Sequence, residues 1–216
     1  MPYFPSKKRK YNGSYRAPVR RVGAKLVTNG EAPFGRTRKA KLIYGDRYVL
    51  GDGESQIFSA NGLYDPDTSG IGHQPRGYDQ IMALYDHYVV TKAKIEVWGG
   101  TIGVPGILSI RVRDGVDVKS FDVRDVLEDP NGVYKVTSQL NTGYVCLEVD
   151  VPKFLGRTNP MADPQLKGSD VAIPAEGAFF HVSNSTLDPV EGSVANFIVR
   201  ITYEATFIEP KLPNIS

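Results

Sequence analysis

The sequence predicts an all-β fold: an eight-stranded antiparallel jelly-roll sandwich, with one or two short helices in its loops and a disordered basic N-terminal arm. Three observations predict it. Apolar and polar residues alternate with a period of two in segment after segment, the mark of strands with one face buried. Turn chemistry separates those segments at Gly99-Gly100, Asp114-Gly115, Asn131-Gly132, Asn141-Thr142-Gly143 and Glu191-Gly192. The charges are segregated: residues 1–41 hold twelve Lys/Arg against the single acid Glu31, net +11, whereas residues 42–216 hold fourteen against twenty-three, net −9. The overall charge of +2 conceals a basic arm joined to a mildly acidic body.

Taken in order, residues 1–37 form the arm. Lys7, Lys8, Arg9, Lys10, Arg16, Arg20, Arg21 and Lys25 are spaced by prolines and glycines, and the apolar residues show no period that would bury a face. Tyr3, Phe4, Tyr11 and Tyr15 interleave the charges, a composition suited to phosphates and unpaired bases, so these eight cations are the predicted nucleic-acid-binding residues. The run Lys7, Lys8, Arg9, Lys10 also reads as a nuclear-import signal for a host import receptor.

Residues 38–216 form one β domain, a length that all-β domains commonly reach undivided. Ala40, Leu42 and Tyr44 share a face, and Ile57 and Phe58 belong to a second strand. The stretch Asn61–Tyr88 is a Gly/Pro/Asp loop followed by a helix, because Tyr78, Ile81, Met82 and Tyr85 fall at i, i+3, i+4 and i+7. Ala93, Ile95 and Val97 then oppose Lys92, Lys94, Glu96 and Trp98; Leu108, Ile110 and Val112 oppose Ser109, Arg111 and Arg113. Val133–Val136 is a short strand, and Val145, Leu147 and Val149 oppose Tyr144, Cys146 and Glu148. Ala178, Phe180 and Val182 precede the longest alternation, Ala195 to Phe207. Helical turns are expected within 120–128 and 152–156. Each strand is expected to be apolar on one face and wet on the other, as in antiparallel sheets packed face to face.

Tests for chemistry find no reacting constellation. Asp65-x-Asp67-x-Ser69-Gly70 begins like a calcium loop, but Arg76 stands where a bidentate Glu is needed. His73, His87 and His181 have no second His at i+2 or i+4. Cys146 is alone and reads as a small buried hydrophobe. Acids in turns are expected to be solvated. No cofactor, no metal and no enzymatic activity are expected. No apolar run approaches the ~18 residues of a membrane span, and the basic start has no signal-peptide core, so no membrane partner is expected.

Several motifs, GLYDPD, GHQPRGYDQ and LYDHYVV followed by KAKIEVW, resemble the capsid proteins of circovirus-like small circular single-stranded DNA viruses. FLGRTNPMADPQLKGS (Phe154–Ser169) and GAFFHVSNS (Gly177–Ser185) extend the likeness. The resemblance implies a satellite-virus-type single jelly roll, a shell of roughly sixty copies (T=1), a packaged single-stranded DNA genome, and residence in the virion and the host nucleus. Arm charge reads phosphate and not sugar, so a satellite-type single-stranded RNA capsid fits the residues equally, and a non-viral jelly-roll single-strand-binding protein is the other alternative. Trp98, on the wet face of its strand, and Tyr64, His73 and Arg76 in the Gly/Pro loop are the expected assembly contacts, since interface cores favour aromatics and Arg.

Overall fold

The computed structural model of the chain describes residues 35–101, 104–117, 122–138, 142–187 and 194–211. The arm positions Lys7, Lys8, Arg9, Lys10, Arg16, Arg20, Arg21 and Lys25 lie outside the described residues.

The described residues form eight strands: β1 (Thr37–Gly51), β2 (Ser55–Ser59), β3 (Tyr85–Thr101), β4 (Gly106–Arg113), β5 (Gly132–Thr137), β6 (Gly143–Asp150), β7 (Phe179–Thr186) and β8 (Val194–Pro210). They form two four-stranded sheets in the orders β1-β8-β3-β6 and β2-β7-β4-β5, and every pairing is antiparallel. Consecutive strands alternate between the sheets except for β4 and β5, which pair within one sheet, the two-Greek-key order of a jelly roll.

The alternation that predicted the strands also builds the core. On β8, Phe197, Val199, Ile201, Tyr203 and Phe207 are buried, and on β3 so are Ala93, Ile95 and Val97. They face Phe58, Leu108, Ile110, Phe180 and Val182 of the second sheet in one continuous cluster. Burying side chains of this size stabilises by roughly 1.5–3 kcal/mol each. Tyrosines in this core bring hydroxyls that need partners, and find them: Tyr203 donates to the Ser59 carbonyl at 2.8 Å.

Among the described residues, four short helical segments lie in the connections: α1 (Tyr78–Met82), α2 (Val123–Leu127), α3 (Val151–Phe154) and a 3-10 turn at Pro164–Leu166. Asp122, Asp150 and Asp163 cap the last three by accepting from the backbone N–H groups of Arg124, Lys153 and Gln165. α1 is shorter than the periodicity suggested. Tyr85 is its expected fourth apolar position but instead opens β3, paired with Pro210. From there β3 runs seven residues before Lys92, where the sequence pattern first shows it. A register shift between Val90 and Lys92 accounts for this: a bulge at Thr91, whose hydroxyl donates to the Glu204 carbonyl, changes the parity of the strand.

Candidate functional site

Two surfaces collect the residues that the sequence singles out. The first is the loop between β2 and α1. Asp67 anchors it. The residue is 1% exposed, and its carboxylate accepts from Tyr48 Oη at 2.9 Å, Gln56 Nε2 at 2.6 Å and the Ser69 amide at 2.9 Å. Those donors occupy its oxygens, so the residue that resembled a calcium ligand is a structural hub. The expectation of a solvated turn acid is thereby corrected. Burial pushes the Tyr44 hydroxyl, 2.6 Å from Tyr48 Oη, up to about 12, and pushes Tyr48 higher still. Gly72 is required beside this hub, because a Cβ there would sit 2.6 Å from Asp67 Cβ.

His73 is pinned outside the hub. Its ring packs 4.7 Å from that of Tyr44, with Nδ1 2.9 Å from the Gln74 carbonyl and Nε2 3.1 Å from the Gly45 carbonyl. Gly77, with φ of 87°, turns the chain into α1. Tyr78 then donates to the Ser169 carbonyl at 2.5 Å, and Tyr88 accepts from the Leu63 amide at 2.9 Å. The loop is therefore fastened to β1, β2 and the segment before β7. Tyr64, His73 and Arg76 are all exposed on it.

The second surface is the outer face of the β1-β8-β3-β6 sheet. Register pairs arrange it in rows. One row reads Lys41, Glu204, Lys92, Asp150 across the four strands; another reads Arg47, Ile198, Trp98, Tyr144. The first end is a lattice of ion pairs, with Lys41–Glu204 at 2.8 Å and Lys92–Glu148 at 3.8 Å. Lys41 and Glu204 stabilise each other's charged forms, raising the Lys41 pKa and lowering that of Glu204. Beyond this lattice, Val89, Leu166 and Ile208 make a small apolar cluster that fastens the Pro164–Leu166 segment over the sheet.

The other end is aromatic. Trp98 is 37% exposed and its ring lies 5.3 Å from that of Tyr144, tilted by 34°. Glu96 sits in the adjoining row and accepts from Lys94 at 3.0 Å and Tyr144 Oη at 3.0 Å, with Arg200 at 3.9 Å. The Lys94 bond, followed by the Tyr144 bond, holds its carboxyl below the usual carboxylate range. Ile198 is exposed beside Trp98.

The structure does not bring Trp98 together with Tyr64, His73 and Arg76. The loop closes the β1/β2 edge of the sandwich, whereas Trp98 and Tyr144 lie toward β6, the opposite edge. Cys146 is also corrected: it is exposed on this outer face, not buried, because it shares the parity of Tyr144 and Glu148. No group of three or more His, Cys, Asp or Glu able to hold a metal occurs among the described residues, and no described helix is long and apolar enough to cross a membrane.

Strand order and antiparallel pairing together define the domain as a single jelly roll. Solved structures with a similar backbone path include that of cocksfoot mottle virus, at TM-score 0.49 and 12% identity, covering 81% of this chain and 96% of that one. Mud crab tombus-like virus is similar at TM-score 0.48 and 10% identity, covering 87% and 96%. The decameric BFDV capsid protein is similar at TM-score 0.42 and 10% identity, covering 81% and 100%. No protein-family model matches the chain, and comparison with curated proteins gives no match. At these identities the fold assignment rests on the strand order itself.

Proposed function

We propose that the protein is a viral capsid subunit that self-assembles into a small icosahedral shell and packages a single-stranded genome through its basic N-terminal arm. The observation that carries this reading is the joining of a twelve-to-one basic segment to a jelly-roll body of opposite charge. Segregated charge lets one end neutralise phosphate while the body packs against its neighbours. The sequence motifs shared with circovirus-like capsids favour a T=1 shell and DNA over RNA. Tyr64, His73 and Arg76, exposed on a well-fastened loop at the β1/β2 edge, are its junction residues. A rigid loop serves a junction because little ordering entropy is lost on contact.

The test is assembly and packaging. Full-length protein should elute as particles containing nuclease-protected nucleic acid, whose sensitivity to DNase or RNase types the genome. Deleting residues 1–34 removes eight Lys/Arg before Val27 and should leave the β domain folded while abolishing packaging and most salt-dependent binding. Equal single-strand binding by the truncated and full chains at physiological salt would refute the arm's role.

Lys7, Lys8, Arg9 and Lys10 also serve import into the host nucleus, where such a genome would replicate. Replacing all four with Ala in a fluorescently tagged chain should leave it cytoplasmic; undiminished nuclear signal rejects the import role.

A further inference from the structure

We infer that the outer face of the β1-β8-β3-β6 sheet carries a second nucleic-acid site, in which Trp98 and Tyr144 stack an unpaired base and Arg47, Lys94 and Arg200 hold its flanking phosphates. This rests on the packaging reading and gives it a component that charge alone does not supply. Trp98 was expected, from its place on the wet face of its strand and the aromatic preference of interface cores, to be a junction contact. Its surroundings assign it differently.

Three features point to a nucleic acid. First, the two rings form a continuous aromatic surface: Trp98 and Tyr144 are register partners with ring centroids 5.3 Å apart, 37% and 45% exposed. Every nucleobase offers a π-face to such a surface, whatever its sequence. Second, cations surround it. Arg47 lies in the same row across Ile198; Arg200 and Lys94 lie in the two rows beyond, with Glu96 beside Arg200 and Glu148 at the β6 end of the Lys94 row. Over these three rows three cations stand against two carboxylates, a net +1, whereas the next row, Lys41, Glu204, Lys92 and Asp150, is balanced. The positive balance favours a phosphodiester over a second copy presenting the same patch. Third, the spacing fits. Strands ~4.8 Å apart put the Arg47 and Trp98 backbones about 10 Å from each other, within reach of a phosphate next to a stacked base. Glu96, 14% exposed at its side chain, contacts Lys94, Tyr144 and Arg200 together and so holds the platform's cations beside its ring.

Trp98 is the only tryptophan, so its emission reports this site alone. The experiment uses the full-length chain, kept unassembled as judged by sizing, with two probes of about twelve nucleotides: oligothymidylate and an abasic strand of equal length. Anisotropy of labelled strands reads total binding, and tryptophan emission reads stacking. Both strands should bind, but only oligothymidylate should quench Trp98. Tyr144→Ala and Arg47→Ala, on different strands and both exposed, should each weaken the quenching-monitored affinity roughly fivefold to tenfold. Equal quenching by the abasic strand, or binding of both strands with no quenching, overturns the platform and leaves the packaging arm standing. Emission that shifts with protein concentration and ignores oligothymidylate overturns it in favour of a contact between copies. Failure of both strands to bind overturns the packaging reading as well.

Discussion

The two sheets share an inner face but differ on the outer one. In the β1-β8-β3-β6 sheet the alternation is literal: along β8, exposed Val194, Asn196, Ile198 and Arg200 interleave with buried Ala195, Phe197, Val199 and Ile201. In the β2-β7-β4-β5 sheet it fails. On β4 both the core residues Leu108 and Ile110 and the outward Ser109 and Arg111 are buried, and on β7 His181 and Ser183 are buried as well as Phe180 and Val182. The cause is the connection from β4 to β5, which folds back over the outer face. Gly115 accepts from His181 Nε2 at 2.8 Å, Asp125 of α2 lies 3.5 Å from Arg111, and Asn131 accepts from the Val112 amide. A polar pattern on a strand therefore means solvent only where nothing lies above it; elsewhere it means partners.

Neighbouring residues test this contrast most strongly. Phe197→Ala empties a core site stacked on Tyr48 and should cost about 3–5 kcal/mol, whereas Ile198→Ala, one residue along and exposed, should stay within about 0.5 kcal/mol. In the other sheet both neighbours should matter: Phe180→Ala about 3–5 kcal/mol, and His181→Ala about 1–3 kcal/mol for a buried hydrogen bond to the connection. Urea midpoints measured at pH 7 on the unassembled subunit decide it. If His181→Ala is as mild as Ile198→Ala, the two outer faces are alike and the contrast is lost.

Much of the architecture was legible because strand parity is a local property. Ala93, Ile95, Val97 and the odd-numbered run of β8 declare their inward face within a few residues, and Trp98 declares the opposite one. What needed the structure is what depends on something arriving from elsewhere in the chain. The bulge at Thr91 shifts parity in mid-strand, so Tyr85 read as the last turn of a helix and the strand showed only from Lys92. Asp67 looked like a solvated turn acid because Tyr48 and Gln56, its donors, belong to β1 and β2. Segment counts placed the cations in the arm, and they could not show that register gathers Arg47, Lys94 and Arg200 beside Trp98 and Tyr144 from four different strands. The basic arm is a reading from charge segregation, and its eight cations lie outside the described residues.

The smallest expected effect isolates the covered outer face by pH. His181 is 3% exposed, faces Arg111 and Arg113 of β4 on one side and Asp117 of the connection on the other, with Asp125 and Asp129 beyond the arginines and only apolar Ile57 across on β2. Burial, reinforced by the two arginines, lowers its pKa below the ordinary 6.5, so the folded chain keeps it neutral and donating to Gly115. The unfolded chain takes up a proton as pH falls through about 6.5, and the folded chain does so only at its own lower pKa. Between those values the unfolded state binds more protons, so the stability present above pH 6.5 is lost as pH falls, at no more than about 1.4 kcal/mol per pH unit. Glu96, Glu204 and Glu209, whose cationic neighbours hold their pKa values below 4.5, stay ionised through this window and do not mimic the effect. His181→Gln keeps an amide donor for the Gly115 carbonyl but cannot titrate. Its stability should therefore fall less steeply than that of the parent chain from pH 7 to 5.5, and amide exchange in 114–117 and 122–131 should lose its acid acceleration. Equal slopes for the two proteins would mean that water already reaches His181 and that the connection does not seal the sheet.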